Sequence, residues 1–280
     1  MKNFKYQLII FLLLLVLSNT FKGQTRRFIY EVEYKPDSTI QKTKKENYIL
    51  EINNNKLAYY NRIYYINDSI FRHGGSFGFN GFRLTSFILS DLKKKKYSYY
   101  EPLGIHLYKV EDTVDIQWQI LPDIVTKNGF SLQRAIAFYG GRNWTAWFAP
   151  DIPLPYGPYK FNGLPGLIMQ LTDKKGDYVF KLIQSEIVNS DPEDLLNNYT
   201  KNAIQLTNEN LNRLKIERYE NPFKDILNGM LELKDNVSLR LEDGTVLTKK
   251  DLKPAEKKER IKIKSFNNPI ELNTAVSYPK

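Results

Sequence analysis

The chain contains no cysteine and only two histidines among its 280 residues. Without cysteine there is no disulfide framework, no thiolate metal ligand and no residue for lipid attachment at a cleaved leader. With His73 and His106 alone, a zinc site would need an unusual, carboxylate-heavy ligand set. Long apolar runs are scarce as well. Residues 8–17 (LIIFLLLLVL) make a run of ten, about half of the roughly 20 that span a bilayer as a helix. No Gly-x-Ser-x-Gly elbow accompanies His73-Gly74-Gly75, so that tripeptide is no lipase-type oxyanion loop, and residues 74–81 read as a flexible loop.

The short apolar run follows Lys2 and Lys5 and gives way to a polar exit ending in Gly23-Gln24. That order is a secretory signal peptide, with cleavage expected after Gly23. The expected product is one domain, residues 24–280, in the periplasm or outside the cell. Losing Lys2, Lys5 and Lys22 lowers the net charge from +10 to +7, with the excess in residues 93–96 and 249–264. Nucleic acid is not an expected partner of an exported protein. The lysines either meet anionic lipid or acidic glycan, or are solvated turns and edge protection.

Period-two patterning runs through most of the chain and predicts a mainly β fold. Residues 27–35 alternate, as do Tyr48, Leu50 and Ile52, with Asn53-Asn54-Asn55 as a turn before residues 56–61. Further strands are expected at 62–67, 82–89, 97–101, 105–110 and 115–121. Nineteen tyrosines and sixteen phenylalanines suit half-buried pleated surfaces. Residues 133–139 and 142–149 form a hairpin about Gly140-Gly141; residues 167–172 and 178–185 form another. Thr207 is placed to cap a helix carrying Leu211, Leu214 and Ile216, ended by Pro222. A second short helix is expected at 222–230, and residues 248–262 are charged enough for an exposed helix or loop. The resulting architecture is a strongly bent antiparallel sheet or half-barrel with a small helical patch.

Pro153, Pro155, Pro158 and Pro165 each lack a backbone donor, so residues 149–165 are a crossing segment rather than a central strand. In Leu164-Pro165-Gly166, proline at the second and glycine at the third turn position predict a type II turn with Gly166 at positive φ. Leu167 and Ile168 then start a strand. Asp151 and Asp173 bracket the segment and are the carboxylates nominated for acid–base work, while Asp173 and Asp177 also read as solvated turn acids.

Residues 141–171, GRNWTAWFAPDIPLPYGPYKFNGLPGLIMQL, with Gly163, Leu164, Pro165, Gly166, Leu167 and Ile168 at their centre, resemble the signature of the GLPGLI family, secreted β-rich proteins of Bacteroidota without an established activity. Phe130-Ser131-Leu132-Gln133 departs from the pattern, where family members often carry a cysteine. The resemblance implies an exported, non-enzymatic envelope protein without cofactor or metal. It would bind an apolar or amphiphilic ligand, or an outer-membrane uptake partner, since genes of the family often neighbour nutrient-receptor genes. Family members are also similar to the accessory N-terminal domain of glycan-cleaving amidases, which implies glycan binding or processing as the alternative. The ligand-binding nominees are Arg142, Trp144, Trp147, Tyr156 and Tyr159. Strand alternation puts Arg142 and Trp144 on one face and Trp147 on the other, so both tryptophans share a groove only if the strand is bulged.

Overall fold

A computed structural model of the chain describes residues 24–73, 85–104, 106–189, 191, 194–229, 239–240 and 245–279. The expected signal peptide and the glycine-rich loop at 74–81 lie outside the described residues, as do the first residues of the strands expected at 82–89 and 105–110.

Strand accounts for 44% of the described residues and helix for 21%, the mainly β balance that the alternation implies. The strands are β1 (Thr25–Tyr34), β2 (Lys44–Asn53), β3 (Lys56–Asn61), β4 (Phe87–Asp91), β5 (Lys96–Leu103), β6 (His106–Asp112), β7 (Gln119–Lys127), β8 (Phe130–Tyr139), β9 (Arg142–Ala149), β10 (Leu167–Asp173), β11 (Tyr178–Val188) and β12 (Ile204–Leu206). They form one open, bent sheet in the order β12-β6-β5-β4-β3-β2-β1-β11-β10-β9-β8-β7. Two antiparallel meanders, β1 to β6 and β7 to β11, are joined where β11 pairs along β1. Among the described strands only β12 runs parallel to its neighbour, β6, which makes the sheet mixed rather than wholly antiparallel.

Alternation sorts the side chains into two cores. Phe28, Tyr30 and Val32 of β1, Leu50 and Ile52 of β2, Tyr59 of β3 and Ile88 of β4 line the inner face. Ala135, Ala137, Trp144, Ala146, Phe148 and Phe180 continue it from the second meander. Ile29, Ile49, Tyr60 and Phe87 point outward and are covered by Tyr64 of helix α1 (Ile63–Arg72) and by Leu196, just before α2 (Asn197–Thr200). Helices α3 (Asn208–Glu220), α4 (Lys224–Leu227) and α5 (Leu252–Lys264) follow the sheet, with a two-stranded ribbon of β13 (Leu239–Arg240) and β14 (Val246–Leu247) between α4 and α5. Among the described residues no helix is long and apolar enough to cross a membrane.

Four expectations change. Residues 63–67 are helical after a turn at Arg62, with the Asn61 side chain accepting from Ile63 N at 2.9 Å where α1 starts. The strand expected at 115–121 lies downstream as β7, with a register shift around Pro122 where that residue cannot donate. The second short helix is confined to Lys224–Leu227. The Gly166 turn is corrected below. Thr207 does cap α3, accepting from Asn210 N at 3.2 Å, and residues 249–264 form a short 3₁₀ turn followed by α5.

Candidate functional site

The crossing segment between β9 and β10 packs onto the inner face and closes it. Phe161, Leu164, Leu167 and Ile168 are each 1% exposed or less. Its shape is held by backbone bonds rather than strand pairing: Gly157 N donates to Phe161 O at 2.8 Å, Gly163 N to Pro155 O at 3.0 Å and Leu167 N to Ile152 O at 3.0 Å. Gly166 does not adopt positive φ, so the type II turn is not formed; Gly163 is the left-handed glycine, at φ +97°. Gly166 is required for a different reason. A Cβ there would stand 2.2 Å from Ala149 O, so the chain must pass the end of β9 with no side chain between.

Arg142 opens β9 after the Gly140-Gly141 turn, whose φ values of +61° and +81° fit the expected tight hairpin. Its guanidinium does not face a groove. Nη1 lies 3.0 Å from Asp173 Oδ2 and 3.5 Å from Asp177 Oδ2. Nη2 donates to Asn268 Oδ1 at 2.5 Å and Pro269 O at 2.7 Å, and Nε to Ile270 O at 3.0 Å. Asp173 and Asp177 are therefore buried ion-pair partners rather than solvated turn acids. Asp173 also accepts from Tyr178 N at 2.9 Å. Asp151 is exposed, and with Asp173 committed to Arg142 the two acids form no proton-transfer pair.

A second buried cluster holds the same final segment. Tyr159 OH donates to Glu271 Oε1 at 2.6 Å, and Lys160 Nζ lies 2.8 Å from the same oxygen and 3.3 Å from Asp112. Tyr159 has φ +58°, a conformation that costs a residue with a Cβ about 1–2 kcal/mol, which its bond to Glu271 helps to offset. Burial first, then the Glu271 carboxylate, pushes the Tyr159 and Tyr139 hydroxyls well above the usual phenol range. Patterning alone does not reveal Lys160, Glu271 or Asn268, since their partners are distant in sequence.

The tryptophans separate as alternation requires. Trp144 is 1% exposed, edge-on to Phe161 at 4.7 Å, and its Nε1 donates to Tyr139 O at 3.0 Å. Trp118 Nε1 donates to Asn162 O at 2.8 Å. Trp147 is half-buried on the outer face, in register with Arg134 of β8 and Gln170 of β10. Among the described residues nothing accepts from its indole N–H. Arg134 is paired with Asp123 at 2.8 Å, and Lys127 Nζ reaches Gln170 Oε1 at 3.3 Å. Four residues along the same face, about 13 Å at strand rise, Phe138 is 68% exposed opposite Asn143. Tyr156 is half-buried in the crossing segment. The five nominees thus do not converge: Arg142, Trp144 and the Tyr159 hydroxyl work inside the fold, and Trp147 faces outward. Among the described residues no three His, Asp or Glu side chains gather as a metal site.

The model of a family described as "Protein of unknown function (Porph_ging)" matches residues 124–170. That span runs from within β7 to within β10 and includes Trp147, Phe138 and the crossing segment. Among solved structures, the chain is similar to PNGF-II in its C2 crystal form, with TM-score 0.50 and 16% identity over 69% of this chain and 32% of that one. The P21 form gives TM-score 0.49 and 14% identity over 69% and 33%. The likeness is one of fold, and the match spans about a third of the length of PNGF-II. No curated protein matches the sequence.

Proposed function

We propose that the protein is an exported, non-enzymatic member of the GLPGLI family that acts as a glycan-binding accessory module through the open outer face of β7 to β10. The observation that carries this reading is Trp147. It is a partly exposed outer-face indole whose N–H has no partner among the described residues, set among Arg134, Asp123, Gln170 and Lys127. Sugar rings present weakly positive C–H groups that stack on an aromatic face, and hydroxyls that bond to charged and amide side chains. Phe138, farther along the same face, adds a second ring for a short oligosaccharide.

The inner face supports surface recognition over a buried apolar ligand, because Trp144, Phe148, Phe161 and Leu164 already occupy it. The test is a glycan array followed by calorimetry on purified exported protein. Binding that falls at least tenfold in Trp147→Ala, with unchanged thermal stability, is the expected result. An array without hits, or hits indifferent to Trp147 and Phe138, overturns the reading. Retention of an envelope protein by the same face would then favour a docking role.

A further inference from the structure

At the other end of the sheet, the turn from β5 to β6 packs against α3 and α4 and leaves a pocket of about 230 Å³. His106 and Tyr108 project from β6, Glu217, Arg218 and Asn221 come from α3 and its end, and Asp225 comes from α4. Gly104 forms the rim at φ +63°. A Cβ on it would stand 2.6 Å from Asp225 Oδ2 and 3.8 Å from Arg218 Nη1, so glycine lets the turn come this close to both.

The charges are unevenly used. Glu217 is paired with Lys224 at 2.5 Å. Asp225 and Arg218, both half-buried, make no hydrogen bond or ion pair with each other or with any other residue among those described. An acceptor and a donor thus flank one small space without satisfying each other. A hydroxyl meets both demands, donating to the carboxylate while accepting from the guanidinium. The His106 and Tyr108 rings, 6.1 Å apart, offer a wall for the carbon skeleton of a ligand. The volume is below the ~300–1,000 Å³ of drug-sized sites, which limits the occupant to a single ring.

We propose that this pocket binds one pyranose unit, as a free monosaccharide or the end of a glycan. The site is separate from the Trp147 face and stands or falls independently of it.

Saturation-transfer NMR on the full exported chain, with the methyl glycosides of glucose, galactose, mannose and N-acetylglucosamine, tests it, with glycine and alanine as zwitterionic controls. At least one glycoside should bind, and Asp225→Asn and Arg218→Gln should each weaken it about tenfold, some 1.4 kcal/mol. Trp147→Ala should leave this binding unchanged. Leu214→Trp, which fills the pocket without removing a charge, should abolish it, and thermal melts check that each variant is folded. Absence of glycoside binding overturns the proposal, as does binding unaffected by Asp225→Asn and Arg218→Gln, or binding of the amino acids alone.

Discussion

Arg142 and Asp173 meet at 3.0 Å with both side chains only 2% exposed. The pair joins the start of β9 to the end of β10 from inside the fold. Removing one partner strands a buried charge, which costs about 3–5 kcal/mol. Arg142→Ala should show that loss in urea unfolding. Arg142→Ala/Asp173→Ala should cost less than the sum of the two single changes. Additive losses would show that the ions contribute independently.

The two tryptophans of β9, on opposite faces of the strand, give different expectations. Trp144→Ala empties a site between Phe161 and Phe180 and should destabilise by about 3–5 kcal/mol. Trp147→Ala, at a half-buried outer-face position, should cost clearly less than Trp144→Ala. Equal losses in thermal melts would place both rings in the core.

Gly166 and Gly163 should respond differently to alanine. At Gly166 the new Cβ meets backbone that cannot move without parting β9 from β10, and the loss should exceed about 2 kcal/mol. At Gly163 the nearest atom is 3.7 Å away, so only the φ penalty of about 1–2 kcal/mol applies. Gly163→Asn should be milder still, since asparagine tolerates that region. The reverse order in a denaturant series would refute the close-approach explanation.

Lys109 first, then Lys96, holds the Glu111 carboxyl down to about 2, from an ordinary 4.5. A carboxylate with a depressed folded pKa stabilises above its unfolded value and loses that contribution as pH falls toward 2. Glu111 is 26% exposed, so screening limits the effect to about 1 kcal/mol. Glu111→Gln should flatten the stability curve between about pH 4.5 and 2. An unchanged acid limb would mean the two lysines do not hold the carboxylate in solution.

What patterning revealed and what it missed divide along the range of the interactions. Alternation in residues 142–148 correctly sent Arg142 and Trp144 one way and Trp147 the other, because a strand with one buried face carries its orientation in local order. Residues 62–67 carry the Ile and Tyr that suit a strand, yet the turn at Asn61 starts a helix. The proline and glycine positions marked the crossing segment, but the Gly166 requirement comes from Ala149, brought close only by folding. Asp173 looked like a turn acid because its partner lies 31 residues earlier. Glu271 is 111 residues from Lys160, beyond the reach of any local pattern.

The segment at 267–274 ties three separate parts of the chain together. Asn268 donates to Lys35 O across 233 positions, Leu272 N bonds Gly140 O at 2.6 Å, and Glu271 takes both Tyr159 and Lys160. One short segment thus fastens the loop after β1, the β8–β9 turn and the crossing segment to one another. Such distant pairings slow folding, and they leave the first strands without their final support while the later ones are still being synthesised. Cutting that one segment loose should therefore slacken three distant places at once, not one.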